Sequence, residues 1–336
     1  MFGSNIVGTA NATSAGWGNL GGGANRLGMP LIAAAVIGFG IAEADAWRYS
    51  MVIAGVVCFT MGIIYFFFTQ DTPEGNFKEL KESGKSVSTK KDEVGFLEAL
   101  KDYRVWILFF IYAACFGIEL TVYGTMDDYL QNTFQLDRLT AGNIVLSFAL
   151  MNIFARTLGG HFGDKFGKLK GLRGRVLFLA GILTVEGLVL VLFSSITGLV
   201  AGIIFLVAFS LTVQMAEGAT FSVVPFINKK AIGSISGIVG AGGNVGAFLA
   251  ALLLKSKSAV AEKAAIAANE GLGADVVQAA QSAASSAAVS SGYLLIGCVV
   301  VGAGIFALGI RFSTEDEKVA QVELNQPVGE LIAVKS

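Results

Sequence analysis

Apolar residues occur in eight long runs along this chain, and polar or charged residues gather between the runs. The runs cover roughly residues 6 to 42, 49 to 69, 105 to 124, 139 to 160, 176 to 194, 197 to 222, 231 to 254 and 291 to 310. None shows the alternation that is typical of a half-buried strand. A helix rises 1.5 Å per residue, so about 20 residues cross the hydrocarbon core of a membrane. The pattern therefore predicts an all-α membrane protein with eight transmembrane helices.

The composition supports this prediction. Hydrophobic residues make up 54% of the chain and charged residues 15%, and the mean hydropathy is +0.67, whereas about a quarter of an ordinary soluble domain is charged. Alternate loops carry 17 Lys and Arg residues on one side and 5 on the other. By the positive-inside rule the first side faces the cytoplasm. We therefore predict cytoplasmic termini, lipid around the helices and no nucleic-acid partner.

Two glycine-rich segments repeat each other inside apolar runs. Asn19 lies within residues 15–23, Asn244 lies within residues 240–246, and 225 positions separate the two asparagines. The same offset aligns three pairs of glycines: Gly8 with Gly233, Gly18 with Gly243, and Gly21 with Gly246. Such an internal repeat is typical of transporters in which two copies of a helical unit face each other across a central site.

The position of the repeat predicts the domain organisation. The copies lie in the first and seventh predicted helices, so one structural unit has six helices. We predict that residues 1–69 are the last two helices of an N-terminal half, 70–104 a cytoplasmic linker, 105–312 a complete six-helix C-terminal half and 313–336 a disordered cytoplasmic tail. Within the C-terminal half, residues 256–290 are expected to form an Ala/Ser-rich external loop with partial helix. We further expect the chain to be an N-terminally incomplete form of a twelve-helix protein.

The glycines of the repeat admit two interpretations. Small residues along a helix face let another helix approach closely, and packing alone can explain them. A buried amide, however, needs hydrogen-bond partners, and two amides at symmetric positions can converge on one ligand. We therefore predict that Asn19 and Asn244 help to form a central binding site. The glycines of this motif are Gly16, Gly18, Gly21, Gly22, Gly240, Gly242, Gly243 and Gly246.

Arg156 stands in the middle of the fourth predicted helix, where a charge costs at least about 2.5 to 3.5 kcal/mol on insertion scales. One explanation is structural, namely a salt bridge to Glu186 or Glu217 in the following helices. The other is functional, because a planar guanidinium group can donate two parallel hydrogen bonds to a planar oxyanion such as nitrate. We predict Arg156 as the centre of an anion site.

Aromatic and acidic residues share one face of the third predicted helix. Four of them follow at helical spacing: Tyr112, Phe116, Glu119 and Tyr123. Packing explains an aromatic stripe more often than binding does, but a carboxylate inside it is a candidate for a proton relay or for pairing with arginine. Glu217 and Glu186 raise the same alternatives, Glu186 less so because no polar residue surrounds it in sequence. We predict Glu119 and Glu217 as the proton-coupling residues.

The segment after Arg156 carries a loop motif. It runs from Gly160 to Lys168, and its marked positions are Gly160, Asp164, Lys165, Gly167 and Lys168. Asp164 can cap the next helix or pair with the end of a neighbouring helix. His161, the only histidine, has no second ligand at metal spacing, so we predict neither a metal nor a cofactor. The motif resembles the loop G-x-x-x-D-[RK]-x-G-[RK] of the major facilitator superfamily.

Together with this loop, the paired glycine segments resemble those of the nitrate/nitrite porter family within that superfamily. Residues 115–121, 154–160 and 216–226 look most like the high-affinity nitrate transporters of algae, plants and fungi, and the resemblance covers nearly all of residues 3 to 312. It implies a twelve-helix transporter whose two halves rock around a central site, where one arginine from each half meets nitrate.

The resemblance also assigns site residues. Arg156 matches the second of the family's two arginines, Tyr112 and Phe116 match its aromatic site positions, and Asn19 and Asn244 match its glycine-motif asparagines. The resulting hypothesis is secondary active transport of nitrate or nitrite by a proton symporter of the plasma membrane. An accessory membrane subunit is left open.

Two other classes of function are weighed against transport. A non-transporting nitrate sensor or regulatory membrane protein, or an inactive fragment of the transporter, is the main alternative. A membrane-embedded enzyme is disfavoured because the sequence offers no combined set of nucleophile, base and metal ligands. A transporter moves the anion across the membrane without changing it chemically, and measuring this movement distinguishes the transporter from the sensor and from the enzyme.

Overall fold

The computed structural model describes residues 3–72, 75–84 and 96–324. Its helices are α1 (Val7–Gly38), α2 (Glu43–Phe68), α3 (Phe77–Glu82), α4 (Phe96–Lys101), α5 (Tyr103–Ala114), α6 (Phe116–Phe134), α7 (Arg138–Leu150), α8 (Ala155–Phe193), α9 (Leu199–Val223), α10 (Ile232–Ala268), α11 (Ala274–Ala307) and α12 (Thr314–Leu324). Short 3-10 helices at Met151–Ile153 and Val224–Phe226 complete the described secondary structure, apart from an isolated bridge between Thr72 and Gly75.

The described residues form two compact units. The first contains the chain up to Leu20 together with the described residues from Phe96 onward, and the second lies between Gly21 and Glu93. The second unit includes α2, a helix of 26 residues. Aromatic side chains near its end are largely exposed, as they can be where lipid covers them: Phe66, Phe67 and Phe68.

Within the described residues, seven helical stretches are long and apolar enough to cross a membrane, and one of them contains two spans. Arg138–Phe193 has 56 residues, which corresponds to about 84 Å, far more than a bilayer needs. The backbone leaves helical conformation at Lys170 and Gly171, and Gly171 has a φ of +64°, a value that favours glycine. Eight spans result, and the prediction of an all-α, multi-pass membrane protein with eight transmembrane helices is confirmed.

The turn at Gly171 divides α8 into a first arm, residues 155–169, and a second arm, residues 172–193. A Cβ atom added to Gly167 would lie 2.7 Å from Arg175 Nε. Residues eight positions apart in a continuous helix lie about 12 Å apart along its axis. The close contact therefore shows that the second arm folds back beside the first.

Two segments have more helix than the sequence indicated. Residues 256–290, expected to be an external loop with partial helix, continue α10 and α11 except for a turn at 269–273. Alanine has the highest helix propensity, and a 2.5 Å contact between the hydroxyls of Ser258 and Ser285 joins the two helices. The tail, predicted to be disordered, forms α12 up to Leu324; residues 325–336 lie outside the described residues.

The remaining predicted linker, residues 70–104, contains α3 and α4, while 73–74 and 85–95 lie outside the described residues. Helices α5 to α11 form the bundle that contains the main hydrophobic core. Glycines bring the first arm of α8 against α9: a Cβ atom on Gly218 would lie 2.9 Å from Gly160 N. Backbones this close leave no room for larger side chains at these positions.

Candidate functional site

Two of the spans are interrupted at the centre of the bundle. The span Tyr103–Phe134 breaks between α5 and α6 at Cys115, whose φ and ψ are −100° and −72°. The next span passes through a 3-10 turn at Met151–Ile153 before the first arm of α8. Glu119 and Arg156 each lie within the first turn after their break. Backbone hydrogen bonds continue across both breaks, from Cys115 N to Ile111 O at 3.0 Å and from Leu158 N to Phe154 O at 2.8 Å, so the helices are distorted but not unwound beside these buried charges.

Arg156 is 2% exposed and is surrounded by polar partners. Its guanidinium group forms ion pairs with Glu217 and with Glu119, the latter with 3.3 Å between Nη2 and Oε2. The Asn19 amide, oriented with its oxygen toward the guanidinium, accepts hydrogen bonds of 2.9 Å from both Nη1 and Nη2. We call these four residues the Arg156 cluster. It contains one cation and two carboxyl groups.

Glu119 has two further neighbours that the sequence analysis missed. Asn152 Nδ2 donates to Glu119 Oε1 at 2.8 Å, and Gln214 Nε2 donates to the same oxygen at 3.4 Å. Gln214 also donates to Phe148 O and to Ser210 Oγ, each at 3.1 Å. Gln214 precedes Glu217 by three residues in an apolar helix, which places both on one face. Polar residues at helical spacing from a buried charge were the available signal.

Aromatic rings cover the cluster on the side of α5 and α6. The Phe116 ring lies 5.5 Å from Arg156 Cζ, which is a cation–π distance. Tyr112 stacks on Phe116 with 5.1 Å between centroids, and Phe221 meets Tyr112 edge to face. A Cβ atom on Gly243 would lie 3.1 Å from the Tyr112 ring, so this glycine of α10 makes room for the aromatic pair.

The other residues of the glycine motif fall into three groups. Gly16, Gly242 and Gly246 pack against neighbouring backbone; a Cβ atom on Gly16 would lie 2.7 Å from Asn152 O. Gly18 and Gly240 have open space where a Cβ would be. Gly21 and Gly22 lie in the second unit. Asn244 is exposed, and no hydrogen bond in the described part of the chain joins it to Arg156. The structure thus brings Asn19 to the guanidinium but not Asn244.

The loop motif builds a second buried ion pair around Asp164. Asp164 Oδ1 accepts from Gly8 N at 3.0 Å and from Arg175 Nη1 at 2.7 Å, and Oδ2 accepts from Thr9 N at 2.6 Å and Thr9 Oγ1 at 2.7 Å. Gly8 and Thr9 belong to the first turn of α1, so the carboxylate caps a neighbouring helix at the positive end of its dipole. We call Asp164, Arg175, Gly8 and Thr9 the Asp164 cluster.

Arg175 and the small motif residues complete this arrangement. Arg175 is fully buried and donates to Ser222 O at 3.0 Å and Ser4 O at 2.9 Å. Gly160 lies against α1, where its Cβ would be 2.7 Å from Gly8 C. The remaining motif side chains, Lys165 and Lys168, are exposed. The sequence analysis did not single out Arg175.

Helix α12 closes over the same end of the bundle. Glu317 accepts from Leu172 N at 2.9 Å and Arg173 N at 3.0 Å, which satisfies the amides of the turn in α8. Glu323 accepts from Ser4 Oγ at 2.6 Å and from Lys229 Nζ at 2.6 Å. No group of three or more His, Cys, Asp and Glu side chains in the described residues is arranged to hold a metal.

Comparison with known proteins decides the family. The model of the Major Facilitator Superfamily matches residues 2–251. This chain belongs to the Major Facilitator Superfamily. Members of this superfamily are transporters and not enzymes, so the chain is classed with transporters. No solved structure matches it.

Nitrate transporters are among the proteins to which the chain is similar. The high affinity nitrate transporter 2.5 of Arabidopsis thaliana is 40% identical over 75% of this chain and 50% of its own length. Nitrate transporter 2.2 of Chlamydomonas reinhardtii is 38% identical over 74% of this chain and 48% of its own length. The nitrate/nitrite transporter NrtP of Picosynechococcus sp. is 28% identical over 75% of this chain and 63% of its own length. The resemblance to nitrate transporters is confirmed. The chain spans about half the length of the plant and algal relatives.

Proposed function

We propose that this chain takes part in secondary active transport of nitrate or nitrite, coupled to protons, with Arg156 as the anion-binding residue. The observation that carries the proposal is a guanidinium group that is 2% exposed and is bonded to one amide and two carboxyl groups where two spans are interrupted. The relatives named as nitrate transporters support the choice of anion. Residues 105–312 would form the C-terminal half of the transporter, and α1 and α2 would belong to the other half.

Anion binding at this site is an exchange of partners. A nitrate ion is planar and its oxygen atoms can accept the parallel hydrogen bonds that a guanidinium fork donates. In the structure that fork is occupied by the Asn19 oxygen and by the carboxylates of Glu119 and Glu217. An incoming anion must therefore displace at least one carboxylate, while Asn19 can remain beside the ion.

The charges of the cluster favour proton coupling. Arg156 is the cation, and Glu119 and Glu217 are the two carboxyl groups in contact with it. When both carboxylates are ionised, an added anion meets a net negative charge, and like charges at this distance repel strongly in a low-dielectric interior. A proton on either glutamate removes that repulsion and frees a donor of Arg156. Proton and anion therefore bind together, which is the requirement for symport.

The Asp164 cluster would act as a closure at the predicted cytoplasmic end. It ties α1, from the half that precedes residue 70, to the two arms of α8. Alternating access to the Arg156 cluster would require these bonds to break and form again. We place the protein in the plasma membrane with both termini in the cytoplasm, on the distribution of Lys and Arg residues.

The proposal is tested by nitrate uptake and by nitrate binding. Uptake of isotope-labelled nitrate is measured in cells that lack their own nitrate transport and express this chain, and binding is measured on the purified chain in lipid nanodiscs. Replacing Arg156 with Ala removes two charge-assisted hydrogen bonds, each worth about 1.5 kcal/mol or more, so binding should weaken roughly 100-fold. Arg156→Lys keeps the charge but loses the fork. Its nitrate affinity is expected to lie between that of the unaltered protein and that of Arg156→Ala.

Three other results would speak against the proposal. Unchanged affinity in both Arg156 variants would remove this residue from the site. Nitrate binding without uptake, in a chain that reaches the membrane, would favour a sensor or a fragment of a transporter. Equal binding of nitrate, chloride and sulfate would argue against selection of a planar oxyanion. Lys165→Ala, an exposed change in the loop motif, serves as the control that leaves nitrate affinity unaltered.

A further inference from the structure

Asn152 and Gln214 hold one oxygen atom of the Glu119 carboxyl group. Asn152 Nδ2 donates to Glu119 Oε1 at 2.8 Å, and Gln214 Nε2 donates to the same atom at 3.4 Å. The other oxygen, Oε2, lies 3.3 Å from Arg156 Nη2. All four residues are buried. The two oxygens of Glu119 therefore have different surroundings, because amide donors contact Oε1 and the guanidinium group of the anion site contacts Oε2.

A backbone carbonyl fixes the orientation of the Gln214 amide. Gln214 Nε2 also donates to Phe148 O at 3.1 Å, and a carbonyl oxygen can accept a hydrogen bond but cannot donate one. A rotated amide would place the Gln214 oxygen against Phe148 O, so that two acceptors would face each other. Gln214 therefore presents N–H groups, and not an oxygen atom, to Glu119.

Asn152 provides the second donor. Within the described residues its side chain forms one hydrogen bond, to Glu119, and Asn152 Oδ1 has no partner. Asn152 lies in the 3-10 turn Met151–Ile153, four residues before Arg156, and this turn places its amide and the guanidinium group beside the same carboxyl group. Two donors on one oxygen keep Oε1 as an acceptor whether Glu119 is ionised or neutral.

The other carboxyl groups lack such support. Glu217 pairs with Arg156, but neither of its oxygens accepts a hydrogen bond from another group in the described part of the chain. Glu186, which the sequence analysis considered as a partner of Arg156, forms no ion pair among the described residues. A neutral Glu119, in contrast, keeps both hydrogen bonds at Oε1 when Oε2 separates from the guanidinium group. Glu119 is therefore the carboxyl group that can give up its contact with Arg156.

We propose that a proton binds Glu119 at Oε2 and that the neutral acid donates a hydrogen bond through it to the transported anion, with Asn152 and Gln214 as positioning residues. This role rests on the proposed function. An O–H bond forms at Oε2 with a proton from water as the anion enters, and it breaks when the proton and the anion leave on the other side. The bound anion then has donors from Arg156 and from Glu119, so a single hydrogen bond joins the two transported ions.

Other titratable groups surround Glu119. Apart from the Asp164 cluster, the buried ones in the surrounding helices are Tyr112, Cys115, Arg156, Glu186, Glu217 and Tyr293. The charged residues of α7 and α10 are not buried; they are Arg138, Lys255, Lys257, Glu262 and Lys263. A comparison of two neutral residues at position 119 leaves all of these groups unchanged. A difference between two such variants therefore reports on a hydrogen bond and not on charge.

The hydrogen bond is tested with two neutral residues of similar length at position 119. Glu119→Gln keeps an acceptor for the two amides and turns an N–H donor toward the anion, whereas Glu119→Met has no donor. Nitrate binding at pH 7 in lipid nanodiscs should be about tenfold tighter in the glutamine variant, which corresponds to one hydrogen bond to a charged partner. Equal affinities would overturn the proposed hydrogen bond. Glu119→Leu repeats the comparison if the methionine variant does not fold.

The positioning role is tested by adding Asn152→Ala to both variants. Because one of the two donors that orient residue 119 is lost, the preference for Gln over Met should fall from about tenfold to about threefold. A purely structural loss would weaken both variants equally and leave the preference unchanged, which would overturn the positioning role. Asn152→Ser, which keeps a hydroxyl donor, should recover part of the preference. Asn143→Ala, at an exposed asparagine of α7, is the control that should not alter it.

Uptake measurements in proteoliposomes separate this inference from the proposed function. Glu119→Gln should lose most of the nitrate accumulation that a proton gradient drives in the unaltered protein, because residue 119 can no longer gain and lose a proton. Full accumulation in this variant would overturn the role of Glu119 as the proton carrier. If the unaltered chain does not bind nitrate, the proposed function and this inference both fail. If it binds nitrate and the Gln and Met variants have equal affinities, only the inference fails.

Discussion

The Arg156 cluster and the Asp164 cluster are both buried ion pairs in one bundle, yet their charges are balanced differently. In the Asp164 cluster one carboxylate faces one guanidinium group, and each carboxylate oxygen accepts two hydrogen bonds. In the Arg156 cluster one guanidinium group faces two carboxyl groups and an amide. The first arrangement is complete as it stands. The second has an excess of acceptors, which protons or a competing anion can change.

This difference separates two reasons for burying a charge in a membrane protein. A one-to-one pair with backbone donors fixes helices relative to one another and changes only when the helices move. An unequal set has several states of similar energy, and a ligand or a proton selects among them. The sequence marks both sites with arginine and acidic residues, so the count of partners around each arginine is what distinguishes them.

The largest expected effect is a loss of stability when the Asp164 cluster is disrupted. Asp164→Ala leaves Arg175 buried without its carboxylate, and breaking a buried pair in this way costs about 3–5 kcal/mol. Glu217→Gln should cost far less, because Glu119 still faces Arg156. The measurement is chemical unfolding of both variants in detergent micelles, followed by tryptophan fluorescence. An equal loss of stability in the two variants would contradict the distinction between the clusters.

The second prediction concerns competition at the Arg156 cluster. Glu217→Gln removes one of the two carboxylates that compete with an anion, so nitrate affinity at pH 7 should rise about tenfold, equivalent to 1.4 kcal/mol. Because the amide carries no charge, binding should also depend less on pH between 5 and 8. Nitrate titrations across that range provide the measurement. A lower affinity in this variant would show that Glu217 supports the bound anion and does not compete with it.

Much of this architecture is predictable from the sequence, because the bilayer requires long apolar helices and makes buried charges rare. That requirement predicted eight spans and singled out Arg156. The ends of the helices were less predictable, since the Ala/Ser-rich segment 256–290 is too polar to count as a span but has strong helix propensity. Helix α12 was missed because its apolar residues, Ala320 and Leu324, become meaningful only when they pack with Leu172 and Phe226.

The partners within the site were predictable only in part. Residue type and position allowed Arg156 to bind an anion or to pair with an acidic residue, and Glu119, Glu186 and Glu217 were all candidates for that pairing. The break at Cys115 and the turn at Gly171 set which carboxyl groups reach the guanidinium, and both are features of backbone geometry. The prediction that Asn19 and Asn244 share one site depended on the repeat. The repeat aligns the two positions in sequence, but it does not make their surroundings alike.

The third prediction separates these two asparagines. Asn19→Ala removes the amide oxygen that accepts from both terminal nitrogens of Arg156, and one hydrogen bond to a charged group is worth about 1.5 kcal/mol or more. Nitrate affinity should therefore weaken about tenfold. Asn244→Ala, at an exposed position, should leave binding by the purified chain unchanged. The test is nitrate binding by both variants in nanodiscs. An equal effect of the two substitutions would show that both asparagines belong to the binding site.

The smallest effect is expected at the contact of α12. Burial alone would raise the pKa of Glu323, but hydrogen bonds from Lys229 and Ser4 outweigh it and hold the pKa below its ordinary value. A carboxylate whose pKa is lowered by docking stabilises the docked state above its free pKa of about 4.3, and that stabilisation is lost as the pH falls through the docked pKa. Because the pair is partly exposed, its contribution should stay below about 1 kcal/mol.

A spin label at position 322 measures this contact, since Val322 is 64% exposed and its label would not disturb packing. The label requires Val322→Cys in a chain whose exposed Cys58 and Cys298 are replaced by Ser. Its mobility should stay constant between pH 8 and 5 and increase below about pH 4, where Glu323 becomes protonated. In Glu323→Gln the mobility should already be raised at pH 7 and should no longer respond to acid. A constant mobility in both proteins would mean that packing of Ala320 and Leu324, without the ion pair, holds α12 in place.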